Sequence, residues 1–77
     1  MAAAPAADVR RRLGRWATVQ ALDEHRCRNT MRTASLDWAA LAPGSVAAEV
    51  SEVRPPELVE HLREWAGRFG RAAGPLP

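Results

Sequence analysis

Bulky apolar side chains are scarce in this sequence, and their scarcity limits what the chain can fold into. Leu, Val and Phe together make up 14 of the 77 residues, whereas Ala alone makes up 16. Ordering each residue costs about 1.5 kcal/mol, burial returns about 25 cal/mol per Å² of apolar surface, and an alanine methyl group buries little area. We therefore expect a single small region of marginal stability, either helical or partly disordered when isolated.

Cross-links that stabilise other small proteins are not expected here. Cys27 is the sole cysteine, so an internal disulfide is excluded. His25, Cys27 and His61 are three potential zinc ligands, whereas structural zinc sites usually take four Cys or His side chains. We expect no metal and no other cofactor. A partner protein or self-association is the remaining source of stability.

The first half of the chain favours a basic helix over residues 8–32, with Asp8 as its N-cap. Gly14 would cost this helix up to about 1 kcal/mol. Arg side chains in the first turn would also oppose the helix dipole. The apolar positions fall near one face at 3.6 residues per turn: Val9, Leu13, Trp16, Cys27 and Met31. Residues 1–7 form an Ala- and Pro-rich tail that we expect to be disordered.

The middle segment, residues 33–53, contains two potential helix caps. Ser35 would cap a short helix that turns three residues inward: Leu36, Ala39 and Ala40. Ser45, after the break at Pro43 and Gly44, would cap a second helix. Its valines share a face through i, i+4, i+7 spacing and do not alternate as in a strand: Val46, Val50 and Val53.

The clearest helical pattern covers residues 54–71. Pro56 suits the first helical position, and Gly70 and Gly74 with Pro75 would provide the stop. An apolar stripe recurs at i, i+4, i+7 and i+11: Leu58, Leu62, Trp65 and Phe69. The predicted fold class is thus all-α, with two to three short helices behind a disordered amino-terminal tail.

The sequence contains few residues and no motif that could form an active site. No nucleophile elbow, phosphate-binding glycine loop or paired-carboxylate pocket can be traced. His25 and His61 lie among charged residues, where a solvated histidine is the default. Arg26 and Arg28 flank Cys27 and would lower its pKa, but no scaffold for a catalytic group is evident. We therefore expect a non-enzymatic protein.

A small regulator or accessory subunit is the function that the sequence favours. The stripe from Leu58 to Phe69 is either the protein's own core or an anchor that docks in a partner's groove. Self-association is an alternative, because the two halves of the chain carry opposite net charge. Residues 1–35 carry seven Arg against three acids, a net charge of +4, and residues 36–77 carry four Arg against six acids, a net charge of −2. The halves could attract one another within one chain or pair antiparallel between two chains.

The basic run near the amino end has several interpretations. Its members are Arg10, Arg11, Arg12, Arg15 and Trp16. The arginines could bind nucleic-acid phosphates while the indole stacks on a base, or they could attract anionic lipid. The run could also be a solvated face without a ligand. Residues 1–21 resemble a mitochondrial presequence, although Asp8 is out of place and Ser is absent.

Two short motifs complete the candidates. Asp37, Trp38 and Leu41 follow an acidic–aromatic–x–x–aliphatic pattern, which resembles the motif by which autophagy receptors add a strand to ubiquitin-like proteins. In a helix the same spacing is ordinary packing. Arg32 lies three residues before Ser35, a spacing that basophilic kinases prefer, and a phosphate on Ser35 would lie at a predicted helix start.

Localisation follows only from what the sequence lacks. No apolar run approaches the roughly 20 residues of a transmembrane helix, and the first 12 residues hold no hydrophobic stretch typical of a secretory signal. We expect an intracellular protein, cytoplasmic or nuclear, with the mitochondrion as the alternative. A single cysteine suits a reducing compartment.

Overall fold

A β-hairpin lies where the sequence predicted the second half of a long basic helix. The computed structural model describes residues 1–75 and shows an α+β fold, so the all-α prediction is wrong. Its elements in chain order are α1 (Ala6–Leu13), a 3₁₀ turn (Gly14–Trp16), β1 (Thr18–Asp23), β2 (Arg26–Thr30), α2 (Leu36–Ser45) and α3 (Pro56–Ala73).

The predicted helix over residues 8–32 is replaced because the chain reverses twice within it. Helix α1 begins at Ala6 after Pro5, so Asp8 lies in its first turn and is not the N-cap. The helix ends at Gly14, whose φ of 58° and ψ of −130° are accessible to glycine but costly for other residues. The 3₁₀ turn that follows leads directly into β1.

The hairpin turn is held by one side chain. Strands β1 and β2 pair antiparallel, with Ala21 opposite Cys27. The carboxylate of Asp23 accepts a hydrogen bond from the backbone N–H of His25 at 2.8 Å and from Nε of Arg26 at 2.6 Å. These two hydrogen bonds, the backbone one first, lower the pKa of Asp23. An aspartate that binds the backbone two residues ahead is a common turn former.

The amino-terminal residues add a strand-like segment to this hairpin, so the prediction of a disordered tail is wrong. Ala2 forms antiparallel bridges with Cys27 on one side and with Val50 on the other. The N–H of Ala2 donates to the carbonyl of Cys27 at 2.8 Å, and the N–H of Ala3 donates to the carbonyl of Glu49 at 2.8 Å. The segment thereby lies between β2 and residues 49–51.

The core is built largely from small side chains. Val9 and Cys27 are fully buried, and the cluster around them contains five further residues: Ala2, Ala6, Leu13, Val19 and Val46. Small side chains let the backbones approach closely, as in the bridges that Ala2 forms with Cys27 and Val50. The core therefore lies between α1, the hairpin and the segment that follows α2.

Helix α2 follows the sequence prediction at its N-cap and over part of its inward face. Ser35 is its N-cap, as predicted, and its hydroxyl accepts a hydrogen bond from the N–H of Trp38 at 3.3 Å. Ala40 is buried, whereas Leu36 is exposed. The second helix predicted after Ser45 is absent: residues 46–53 form no helix, and Val46 is buried in the core.

Helix α3 confirms the strongest sequence pattern. Pro56 is its first residue, Gly70 lies inside it, and Gly74 with φ of 76° follows its end. Burial declines along its apolar stripe. Leu58 is buried, Leu62 and Trp65 are half-buried, and Phe69 is exposed. The amino-terminal half of α3 therefore packs against the protein, while the other half extends into solvent.

Two glycine substitutions should change stability in opposite directions. Gly14→Ala should lower the free energy of unfolding by about 1–3 kcal/mol, because alanine must adopt the positive φ that ends α1. Gly70→Ala should raise it by about 1 kcal/mol, since a methyl group there meets nothing within 4 Å and alanine favours the helix. Urea unfolding followed by circular dichroism measures both, and a gain from Gly14→Ala would contradict the turn described here.

Candidate functional site

The tryptophans lie outside the buried core, and two of them meet. Trp16 in the 3₁₀ turn and Trp38 in the first turn of α2 are 57% and 50% exposed. Their ring centroids are 5.1 Å apart and the planes cross at 77°, an edge-to-face pair. The sequence did not predict this pairing, because no periodicity relates residues on two elements that lie 22 positions apart.

The arginines of the basic run have different partners. Arg10 donates to the carbonyl of Val19 at 3.0 Å and so ties α1 to β1, while Arg11 pairs with Asp8. Arg12 and Arg15 form no ion pair or side-chain hydrogen bond within residues 1–75. These two guanidinium groups are thus available to a ligand.

An open hollow brings these arginines and Trp16 together. Its volume is about 590 Å³, and its lining is the continuous run Arg11, Arg12, Leu13, Gly14, Arg15 and Trp16. We call Arg11, Arg12, Arg15, Trp16 and Trp38 the basic tryptophan patch. Arg10 lies outside it, because Arg10 does not line the hollow and its guanidinium donates to the carbonyl of Val19.

A second surface begins at the junction of α2 and α3. Nε2 of His61 and Oδ1 of Asp37 are 2.6 Å apart and link the two helices. The His61 ring lies 5.4 Å from that of Trp65, which lies 5.5 Å from the ring of Phe69. A row of three rings therefore runs from the helix junction towards the free end of α3.

The free end of α3, residues 66–73, projects from the body of the protein. Every residue of this distal segment is exposed, and Phe69 is 59% exposed. A methyl group added at Gly70 would meet nothing within 4 Å. The distal segment carries Arg68 and Arg71 and no acidic residue.

Comparisons with known proteins identify no relative from which a function could be inferred. No family model matches this chain, and no curated protein or solved structure is detectably similar to it. The function is therefore argued from geometry and chemistry.

The short motifs take helical positions in the structure. Asp37, Trp38 and Leu41 all lie in α2, where Trp38 contacts Trp16 and Asp37 contacts His61. Strand addition needs an extended peptide, so this segment would have to unfold before binding in that way. Ser35 is the N-cap of α2, and a phosphate there would lie at the positive end of the helix dipole.

The remaining polar and apolar features form no recognisable chemical centre. Within residues 1–75, no three His, Cys, Asp or Glu side chains converge as a metal site. Burial raises the pKa of Cys27, contrary to the decrease that its flanking arginines suggested. A hollow of about 520 Å³ with a mixed polar and apolar lining lies among β2, α2 and the start of α3. Among the same residues, none of the helices has both the length and the apolar character to cross a membrane.

Proposed function

We propose that this protein is a non-enzymatic interaction module that inserts the distal segment of α3 into an apolar groove on a protein partner. The observation that carries the proposal is the exposure of Phe69 near the end of a helix whose first half is anchored by Leu58. A chain short of bulky apolar residues leaves this ring in water, where burial would stabilise a complex by about 1.5–3 kcal/mol.

The charge of the distal segment narrows the chemistry of the partner. Arg68 and Arg71 flank Phe69, and no acidic residue lies between 66 and 75. Arg68 pairs with Glu64 one turn earlier at 2.8 Å, whereas Arg71 forms no ion pair within residues 1–75. An apolar groove with acidic residues at its rim would complement this segment. Two copies of the chain joined by their distal segments would bring the two Arg71 side chains together, and Arg68 is already paired with Glu64 of its own helix at 2.8 Å, so the charges disfavour self-association here.

The four residues of the stripe are equivalent in the sequence pattern, whereas they differ in burial in the structure. Leu58 is buried and Leu62 and Trp65 are half-buried within the protein, so their truncation would also weaken the fold. Phe69 contacts Trp65 and is otherwise largely solvated. Phe69→Ala is thus the variant that tests binding with little effect on folding.

Phe69→Ala should weaken partner binding by about 10- to 150-fold, as expected for the loss of one buried phenyl ring. The partner is first captured by a photo-crosslinking residue at position 69, with the same residue at the exposed position of Leu22 on the hairpin as the control. The captured protein is then purified and its Kd measured by calorimetry for the wild type, Phe69→Ala and Leu22→Ala.

Three outcomes would contradict the proposal. A Kd for Phe69→Ala within twofold of the wild type would show that the ring is not buried in the complex. Equal losses for Phe69→Ala and Leu22→Ala would indicate an unspecific effect. Crosslinks formed only between copies of this chain would assign the distal segment to self-association.

A further inference from the structure

The basic tryptophan patch combines the two groups that single-stranded nucleic acid requires of a protein surface. Arg12 and Arg15 supply positive charge with no partner within residues 1–75. Trp16 and Trp38 supply exposed aromatic faces next to that charge. Proteins that bind single strands without sequence preference pair a cationic groove with rings on which bases stack.

The geometry points to a site for single-stranded RNA or DNA on this patch, in which Arg12 and Arg15 bind phosphates and an indole stacks on a base. An edge-to-face pair leaves at least one indole face open, and both rings are about half exposed. The hollow lined by residues 11–16 is open to solvent and places the arginines beside Trp16. This inference is independent of the partner proposed for the distal segment of α3.

Single strands fit the patch better than a duplex does. A stacking ring needs an accessible base face, and the bases of a duplex are stacked on one another. Helix α1 spans only eight residues, and two of its three arginines are already engaged, Arg10 with the carbonyl of Val19 and Arg11 with Asp8, so few of its side chains remain to read base edges in a major groove.

An anionic membrane is the competing ligand, and the fold disfavours it. A helix that binds lipid buries its apolar face in the bilayer interface. The apolar residues of α1 are already used in the protein core: Ala6, Val9 and Leu13. The folded protein therefore presents only the arginine side of α1, together with the two indoles. The same burial withdraws the apolar face that a presequence helix would display.

The patch contacts few phosphates, so binding should be weak and moderately sensitive to salt. Neutralising two to three phosphates of a single strand gives a slope of log K against log salt of about −1.4 to −2.1. The affinity should consequently fall by about 7- to 18-fold between 50 and 200 mM salt. A slope near zero would exclude phosphate contacts.

The test measures binding of fluorescein-labelled single-stranded 12-mers, oligo(dT) and oligo(rU), by anisotropy with the full chain. Arg12→Gln/Arg15→Gln should weaken binding at least 10-fold. The control variant, Arg63→Gln/Arg71→Gln, removes the same charge from α3 and should change the affinity less than twofold. Trp16→Leu should weaken binding about fivefold or more, with circular dichroism confirming that the fold is retained.

Each contrary result would overturn the site. Equal losses from the two arginine double variants would show attraction to net charge alone. Tighter binding of a 12-base-pair duplex than of the single strand would exclude stacking on Trp16. Binding to vesicles with 30% anionic lipid, without binding to the oligonucleotides, would assign the patch to membranes. Phe69→Ala should bind the oligonucleotides as the wild type does, which separates this site from the proposed protein interface.

Discussion

Replacing Ala2 with aspartate should unfold most of the protein, whereas the same change at Ala3 should leave it folded. Ala2 is fully buried between β2 and residues 49–51, while the side chain of Ala3 is exposed. A buried carboxylate without a partner costs about 3–5 kcal/mol. A chain of this length has a total stability of about 4–12 kcal/mol, and the small core places this protein towards the lower end.

The adjacent positions make a matched pair for that experiment. Both residues donate their backbone N–H within the sheet, to the carbonyls of Cys27 and Glu49, and aspartate leaves both backbone bonds possible. Only the environment of the side chain differs. Thermal and urea unfolding followed by far-ultraviolet circular dichroism would give the free energy of each variant. Identical unfolding curves for the two variants would contradict the burial of Ala2 and would indicate that residues 1–7 are disordered.

The sequence was sufficient for α3 because local signals agree along its whole length. Pro56 begins the helix, the stripe keeps a period near 3.6, and Gly74 follows its last residue. Periodicity cannot show where along such a stripe the intramolecular packing ends. Leu58 and Phe69 occupy equivalent positions in the pattern, yet one is buried and the other is exposed. That division is set by the neighbouring helix and not by α3 itself.

The hairpin was missed because its inward residues also fit a helical face. Val9 and Cys27 were assigned to one helix, and they do share a core, but from α1 and from β2 respectively. Gly14 was the signal that a break was present, with Asp23 as the turn former after it. A weak cost was assigned to Gly14 within a continuous helix, whereas its positive φ ends the helix altogether.

The amino-terminal segment also differs from its sequence prediction, because its order depends on distant parts of the chain. Alanine and proline offer little to pack, which favoured disorder in residues 1–7. In the structure, backbone hydrogen bonds stabilise the segment, and a small side chain at Ala2 allows it to fit between β2 and residues 49–51. Small residues thus limit the volume of the core but permit close approach of the chain to itself. That contribution depends on distant pairing and has no local signature in the sequence.

The candidate sites were predicted as residue sets, and the structure distributes them over two surfaces. Arg12, Arg15 and Trp16 stay together, and Trp38 joins them from α2. Arg10 instead connects α1 to β1. Such redistribution follows from tertiary contacts, because residues distant in the sequence decide which side chains are engaged and which are free to bind. A protein interface and a nucleic-acid site can accordingly be tested with separate variants.

Alkylation of Cys27 should measure whether the isolated chain maintains its core. The thiol is fully buried in β2, beside the segment that contains Ala2, so a reagent reaches it only after the structure opens. If opening costs about 3 kcal/mol, iodoacetamide should react about 160-fold more slowly with the native protein than with the chain unfolded in urea. In a Cys27→Ala background, Ala34→Cys places a thiol at an exposed position and should react at the unprotected rate.

The pH dependence of the same reaction provides a second check with a defined sign. Burial raises the pKa of the Cys27 thiol above its ordinary value of 9.0 in the folded state. The unfolded chain therefore releases this proton first, and the stabilising contribution is complete below about pH 9 and is lost as the pH rises towards the folded pKa. Between about pH 9 and the folded pKa, labelling of the native protein should accelerate more steeply with pH than labelling of the unfolded chain. Equal rates at every pH would mean that the core around Cys27 does not form in the free chain, and that a partner is needed to build it.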